Sequence, residues 1–298
     1  MLKKKFIIPI LLLAIASSLG AALFVYSSDA PKELAVNFLD VGQGSSVLIQ
    51  TPYGQNILID GGDVDAKVLR QLPLFMPFYD RRIDLVILTH PHDDHVGGLV
   101  PVLKRYRVGN ILYTGVTHSA PAYLEFLQTI KERHIPLTII ERPQTITLGD
   151  DLKLEILYPL ASFLQKDVSN LNNTSIVTLL TYKQKKFLFM GDAETEVEEV
   201  LAASPLPMGE GVGGEGVGAD VMLAGHHGSD TSSTEDFLNT VKPRYAVIPV
   251  GVDNDFGHPS LRVLRRFDRM GILYFRNDLD GWVQAVSDGE QIVMSKEK

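Results

Sequence analysis

The chain has 298 residues, 45% of them hydrophobic, no cysteine and a formal net charge of −8. That length and apolar content suffice for one domain of roughly 200–250 residues with appendages, or for two. The missing cysteines exclude disulfides (so no disulfide partner), thiolate metal sites and cysteine nucleophiles. The acidity argues against a broad non-specific nucleic-acid face, but not against local phosphate binding where cations supply the positive charge.

Lys3, Lys4 and Lys5 precede twenty-one residues, 6–26, without a charge, and Asp29 closes the run. At 1.5 Å per residue the run reaches about 30 Å, the thickness of a bilayer core. Lysines at its start favour a cytoplasmic N-terminus. Residues 1–30 are therefore expected to be an N-terminal hydrophobic helix, either a single membrane anchor or a secretory signal peptide with Ser28-Asp29-Ala30 as a mediocre cleavage site. Both place the remaining domain, 34–294, outside the cytoplasmic membrane, anchored or secreted.

Strands are predicted at 34–41, 46–51 and 56–60, separated by the turns Gly42-Gln43-Gly44 and Tyr53-Gly54, the rhythm of an antiparallel meander. Asp40 ends the first strand and Asp60 the third. Because Asp60 terminates an apolar Ile-Leu-Ile run, it reads either as a carboxylate orienting a ligand histidine from behind or as the N-cap of a helix over 62–72. Asp40 is grouped with it as a supporting carboxylate.

The stretch LVILTHPHDDHVGGL at 85–99 organises the chain. An apolar run delivers His90, His92, Asp94 and His95 within six positions, so three of the eight histidines sit together. In extended backbone His90 and His92 project to one side and can meet one ion. Asp94 and His95, after the chain turns, can point at a second. Histidine and carboxylate are ligands that zinc, manganese and iron accept.

Beyond this loop the pattern gives a helix at 98–106, a strand at 110–114 and a helix at 121–134, with Pro121 suited to its first turn. His118 and His134 read as surface residues. Strands follow at 137–140, 144–147 and 152–157, and the alternation suggests sheets flanked by helices. Asn172-Asn173-Thr174-Ser175 opens a strand at 176–182, and the next, 187–190, ends in Gly191-Asp192. A carboxylate after a buried Phe-Leu-Phe-Met run is costly unless paired or metal-bound, so Asp192 is read as a bridging ligand or as a cap for an acidic helix at 193–203.

Residues 204–219 are low-complexity, glycine- and proline-rich sequence, expected to form a flexible surface insertion. A short strand at 220–224 then runs into Gly225-His226-His227-Gly228-Ser229, repeating the strand-end logic of the first loop. Helices at 234–241 and 260–270 flank a strand at 244–250. His258 precedes Pro259 at the second helix, as a site residue or simply an N-terminal helix residue. Strands at 273–276, 282–287 and 291–294 close the chain.

Taken in order, Asp60, the His90–His95 loop, Asp192 and His226 resemble the metallo-β-lactamase superfamily. FLDVGQG (38–44), LIDGG (58–62), NNTS (172–175), MGD (190–192), HHGS (226–229) and GHPS (257–260) resemble one branch of it, the hydrolase domain of the ComEC competence family. The likeness runs from about Leu34 to Gly289. That family's multi-helix DNA channel has no counterpart in this sequence, so the resemblance covers the domain and not DNA uptake. It implies an α/β (α+β) fold, an αββα sandwich with metals at one edge of two face-to-face sheets. It implies two divalent metal ions, zinc or manganese. His90 and His92 would bind one ion, Asp94 and His95 the second, with Asp192 bridging and His226, or alternatively His227, as the last ligand. Asn172 and Asn173 stand where many relatives have a further histidine, and an amide oxygen suits manganese better than zinc.

The function expected from this is a binuclear phosphodiesterase, with single-stranded DNA as a candidate substrate and a metal-held hydroxide as nucleophile. Asp94, His227 and His258 would be its catalytic groups. Ser229 and His258 would contact substrate, the Gly228-Ser229 amides offering donors. Two alternatives stay open: hydrolysis of a lactam, lactone or thioester at the same site, and a non-catalytic protein that binds an anionic envelope polymer. Protein partners are not legible.

Overall fold

A computed structural model of the chain describes residues 33–203, 218–252 and 254–298. The N-terminal hydrophobic helix and nearly all of the insertion expected at 204–219 lie outside the described residues. Among the described residues, no helix is long and apolar enough to cross a membrane.

The first sheet starts with an antiparallel meander, β1 (Leu34–Phe38), β2 (Val47–Gln50) and β3 (Asn56–Ile59). It continues through parallel strands β4 (Arg82–Ile87), β5 (Arg107–Tyr113) and β6 (Leu137–Ile139). The second sheet mirrors this plan. β7 (Gln144–Gly149), β8 (Leu152–Tyr158), β9 (Val177–Tyr182) and β10 (Lys185–Phe189) pair antiparallel. β11 (Val221–Leu223), β12 (Tyr245–Ile248) and β13 (Leu273–Arg276) add in parallel. The chain then returns to the first sheet, where β14 (Val283–Ser287) pairs with β1 and β15 (Ile292–Lys296) with β14.

Strands buried on both faces read as continuous apolar runs, because period-two alternation carries hydrophobic residues to each side. In β3, Ile57 and Ile59 join the core between the sheets, with Leu154, Leu180 and Phe189 from the facing sheet. Leu58 points the other way, into a second core with Val68, Leu72, Leu99 and Phe126. Those residues come from α1 (Val68–Phe75), α3 (Leu99–Arg105) and α4 (Pro121–Arg133); the short α2 (Asp93–Val96) lies between α1 and α3 in sequence. On the outer face of the second sheet, Leu188, Met222 and Ile248 pack on α5 (Thr195–Ala203), α6 (Glu235–Val241) and α7 (Leu261–Met270). A single turn, α8 (Asn277–Asp280), precedes β14. Two sheets face to face with helices outside form the expected αββα sandwich of mixed α/β class.

Several boundaries differ from expectation. The helix placed at 62–72 begins only at Val68, because Asp63 and Asp65 accept from the following Val64 and Lys67 N–H groups and hold the segment in turns. Asp60 is therefore not a cap for that helix. Asp192 likewise precedes α5, which opens at Thr195. Residues 277–280, which lie between two expected strands, form α8, with Asp280 accepting from the Arg276 N–H.

Candidate metal centre

The segments that carry the site follow the C-terminal ends of strands, where the parallel pairing brings strand ends side by side, and Asp94 and His95 sit just beyond one of them in α2. Asp60 follows β3, His90 follows β4, Asp192 follows β10 and His227 follows β11. Two glycines permit the close backbone approach between the first two of these segments: a Cβ on Gly98 would overlap the Gly61 carbonyl. A Cβ on Gly44 would likewise meet the Asp94 carbonyl, so the FLDVGQG turn lies directly against the histidine loop.

Asp60 is fully buried and has a left-handed backbone, φ 56°. Its carboxylate accepts from the Thr89 N–H (2.8 Å), the Thr89 hydroxyl (2.7 Å) and His95 Nδ1 (2.7 Å). That contact fixes the His95 ring and leaves Nε2 facing inward, 3.1 Å from Asp192 Oδ1. His227 is oriented in the same way. Its Nδ1 donates to the Pro249 carbonyl at 2.6 Å, and its Nε2 lies 3.1 Å from Asp94 Oδ2, 3.4 Å from Asp192 Oδ2 and 3.4 Å from His95 Nε2. One ligand atom each from Asp94, His95, Asp192 and His227 falls within 4.8 Å of all the others. Around a tetrahedral ion with bonds of about 2.0 Å, ligand atoms stand about 3.3 Å apart, so this donor set fits a divalent cation.

A second pair adjoins it. His90 Nε2 is 3.0 Å from His92 Nδ1 and 3.8 Å from Asp192 Oδ2. Asp192 thus links the pair to the rest of the group, one oxygen toward His95 and the other toward His90 and His227. Its own N–H is held by the Ser175 hydroxyl at 3.0 Å, which gives the NNTS segment a structural part in the site.

The electrostatics follow from this crowding. Burial opposes a charge on His95, yet the carboxylates of Asp192, Asp60 and Asp94 drive it well above the usual imidazole range. Burial opposes it on His227 too, but Asp192 and Asp94 push that ring up to about 10. Against the cost of burial, the same imidazoles hold Asp192 and Asp94 below the carboxylate range. Burial raises Asp60, while the imidazole, amide and hydroxyl it accepts from pull the other way. His90 and His92 go the opposite direction, lowered first by burial, and so stay in the neutral form that binds metal.

Four expectations change. His226, favoured over His227 as the last ligand, faces away from the group of four: its Nδ1 is 3.0 Å from Glu194 Oε1 and 3.1 Å from Thr231 Oγ1, and its Nε2 is 3.3 Å from Asn172 Nδ2. His226, His227 and Gly228 all have positive φ (47°, 53° and 77°), and this turn swings the second ring inward, not the first. His227, held among carboxylates, is not free as a proton donor. Ser229 is buried; its N–H donates to the His226 carbonyl and its Oγ accepts from Thr231, so the turn itself engages both groups. Asp40 accepts from the Gly42 N–H within its own turn rather than supporting a histidine.

The structure also places residues that the sequence reading passed over or read otherwise. Glu194 holds both His226 and Asn172, the latter at 2.9 Å. Asn173 accepts from the Glu194 N–H and donates to Glu196, so it braces α5 and not the metal group. His118 is half-buried between Tyr123 and His92, its ring 6.2 Å from that of His92. A cleft of about 500 Å³ opens over the group, and Asp63, Asp93, Asn172, His226, Phe256 and His258 line its rim.

The fold and this centre define a class. Residues 39–252 match the family model described as the Metallo-beta-lactamase superfamily, and the chain belongs to that superfamily. Among curated proteins it is 28% identical over 281 residues to ComE operon protein 3 of Bacillus subtilis, covering 88% of this chain and 34% of that protein. It is 32% identical over 252 residues to Competence protein ComA of Neisseria gonorrhoeae, covering 85% and 32%. The chain therefore spans about a third of the length of these relatives, and the likeness is consistent with a ComEC-like hydrolase domain. Among solved structures, CmlA, a diiron beta-hydroxylase from Streptomyces venezuelae, aligns with a TM-score of 0.52 at 16% identity, over 87% of this chain and 54% of that one, a likeness of fold.

Proposed function

We propose that this chain hydrolyses phosphodiester bonds of nucleic acid, using two divalent cations, outside the cytoplasmic membrane. The observation that carries the reading is the paired orientation of His95 and His227. Each ring is tied back through Nδ1, to Asp60 and to the Pro249 carbonyl, so that both Nε2 atoms converge on Asp192. Metal-binding histidines are held in this way because the outer hydrogen bond fixes tautomer and direction.

His90, His92 and one Asp192 oxygen would hold one cation; Asp94, His95, Asp192 and His227 would hold the other. When bound, the cations supply the Lewis acidity and water activation that hydrolysis at neutral pH requires. The protein's own residues shape the rest. Carboxylates of Asp63, Asp93, Asp94 and Asp192 line the cleft, and among the described residues no lysine or arginine does. Such a cleft repels an anion until cations are seated, so substrate binding would depend on metal. His258 is lowered by burial and then by His226 and His227. At neutral pH it is therefore mainly the free base, and it would give a proton to a leaving oxygen from its minor protonated form. The likeness to competence proteins favours nucleic acid as the source of the phosphodiester, and the uncharged run at residues 6–26 favours a location outside the membrane.

The test uses the full chain purified in detergent, supplied with zinc or manganese, against single-stranded DNA, bis(p-nitrophenyl) phosphate, a chromogenic lactam and a thioester. The reading expects cleavage of the two phosphodiesters, stopped by chelator. Cleavage of only the lactam or thioester, or metal uptake with no hydrolysis, overturns it.

A further inference from the structure

Phe256 is 68% exposed at the rim of the cleft, an apolar side chain in an otherwise acidic and histidine-rich setting. A single exposed phenylalanine is ordinary, but this one is not isolated. Its ring lies nearly parallel to that of His258, at 14° and 6.0 Å between centroids. The His258 ring is in turn 5.5 Å from His226, and that ring 6.2 Å from His227. A row of aromatic rings therefore leads from open solvent to the metal group.

The segment carrying the outer two rings is braced by one side chain. Asn254 donates from Nδ2 to the His258 carbonyl (2.8 Å) and the Gly251 carbonyl (3.2 Å), and its Oδ1 accepts from the His258 N–H (3.0 Å). Past it, the Ser260 N–H donates to the Gly228 carbonyl, tying the segment to the turn that carries His226 and His227. Phe256 is thus presented, not buried, by a pinned loop.

We propose that Phe256, backed by His258, is a stacking platform for a nucleobase beside the scissile phosphate; this rests on the phosphodiester reading above. Among the described residues, carboxylates and histidines line the cleft and no lysine or arginine does, so no cationic side chain of that kind holds the organic part of the substrate. A planar aromatic group stacking on the free face of Phe256 gains affinity without charge. Such a platform tolerates any base, since each has a π-face, and truncating an aromatic platform costs about 1–3 kcal/mol per base.

The experiment compares the full-length wild type with Phe256→Ala and Phe256→Trp on two substrates sharing a leaving group, thymidine 5′-(p-nitrophenyl phosphate) and methyl p-nitrophenyl phosphate. Phe256→Ala is expected to raise KM for the nucleoside ester, relative to the methyl ester, by roughly 5- to 100-fold, while Phe256→Trp preserves the wild-type ratio. Independently of turnover, a 2-aminopurine mononucleotide titrated into the zinc-supplied chain should lose fluorescence on wild type and Phe256→Trp, but not on Phe256→Ala. An unchanged KM ratio, or equal quenching by wild type and Phe256→Ala, overturns the platform. If neither ester is cleaved by wild type, the phosphodiester reading fails, and the fluorescence result alone decides whether a base binds here.

Discussion

Asp60 and His95, thirty-five positions apart in sequence, meet through a 2.7 Å contact in which both side chains are fully buried. No solvent competes for either group, so the carboxylate dictates which imidazole nitrogen faces the site. Asp60→Asn keeps the shape, removes the charge and leaves the His95 tautomer unfixed. Metal affinity should fall roughly 10- to 100-fold, read by competition with a chromogenic chelator. Unchanged affinity in a folded variant would mean that the ring is held by packing alone.

His226 and His227 differ in what they touch, and substitution separates them. His227→Ala removes a donor from the group of four and should weaken metal binding at least tenfold more than His226→Ala, which disturbs Glu194, Thr231, Asn172 and the neighbouring His258 ring. Metal titration of both variants, with circular dichroism to check folding, gives the comparison. Equal losses contradict the assignment.

In the metal-free protein the carboxylates hold protons on His227 and His95. The folded value for His227, about 10, lies above the ordinary 6.5. Its contribution to stability is therefore complete below pH 6.5 and is lost as pH climbs through about 10. A cation must displace these protons, so zinc binding at pH 7 should release about two per group of four and tighten with rising pH. Calorimetry in buffers of different ionisation enthalpy counts them. Release of none would place the proton inventory elsewhere.

Away from the centre, buried Glu198 on α5 accepts from the Ser233 and Thr234 N–H groups (2.5 and 2.8 Å) at the start of α6. An amide there can accept only one such bond and sets an N–H against the other donor, so Glu198→Gln should cost about 1–2 kcal/mol. Burial raises this carboxyl above 4.5 despite those bonds. Its contribution is thus most favourable below pH 4.5 and declines as pH rises through the folded value. Urea melts across that range should show the decline in wild type and its absence in the variant.

What was readable in the sequence follows from how local each signal is. His90, His92, Asp94 and His95 are packed into six positions, so their joint purpose shows without a fold. Asp60 and Asp192 show because a charge ending an apolar strand needs a reason. Two adjacent histidines offer no such cue: only the left-handed turn at His226–Gly228 decides which ring turns inward. Ser229 resembles a substrate contact until that turn consumes its N–H. Glu194 falls in the acidic segment read as a helix and His118 in a stretch read as surface, and neither position carries a cue that its side chain turns toward the site. The sheets were legible because Ile57-Leu58-Ile59 and its like feed two cores at once, whereas α1 was displaced by aspartate turns that no periodicity announces.

The most direct measurement is the metal content of the purified full chain, by elemental analysis, for wild type and for Asp192→Asn. The account predicts about two divalent cations per wild-type chain and a marked loss in the variant, because Asp192 is the carboxylate shared by both halves of the centre. A wild-type chain that takes up neither zinc nor manganese, or a variant that retains both ions, would contradict it.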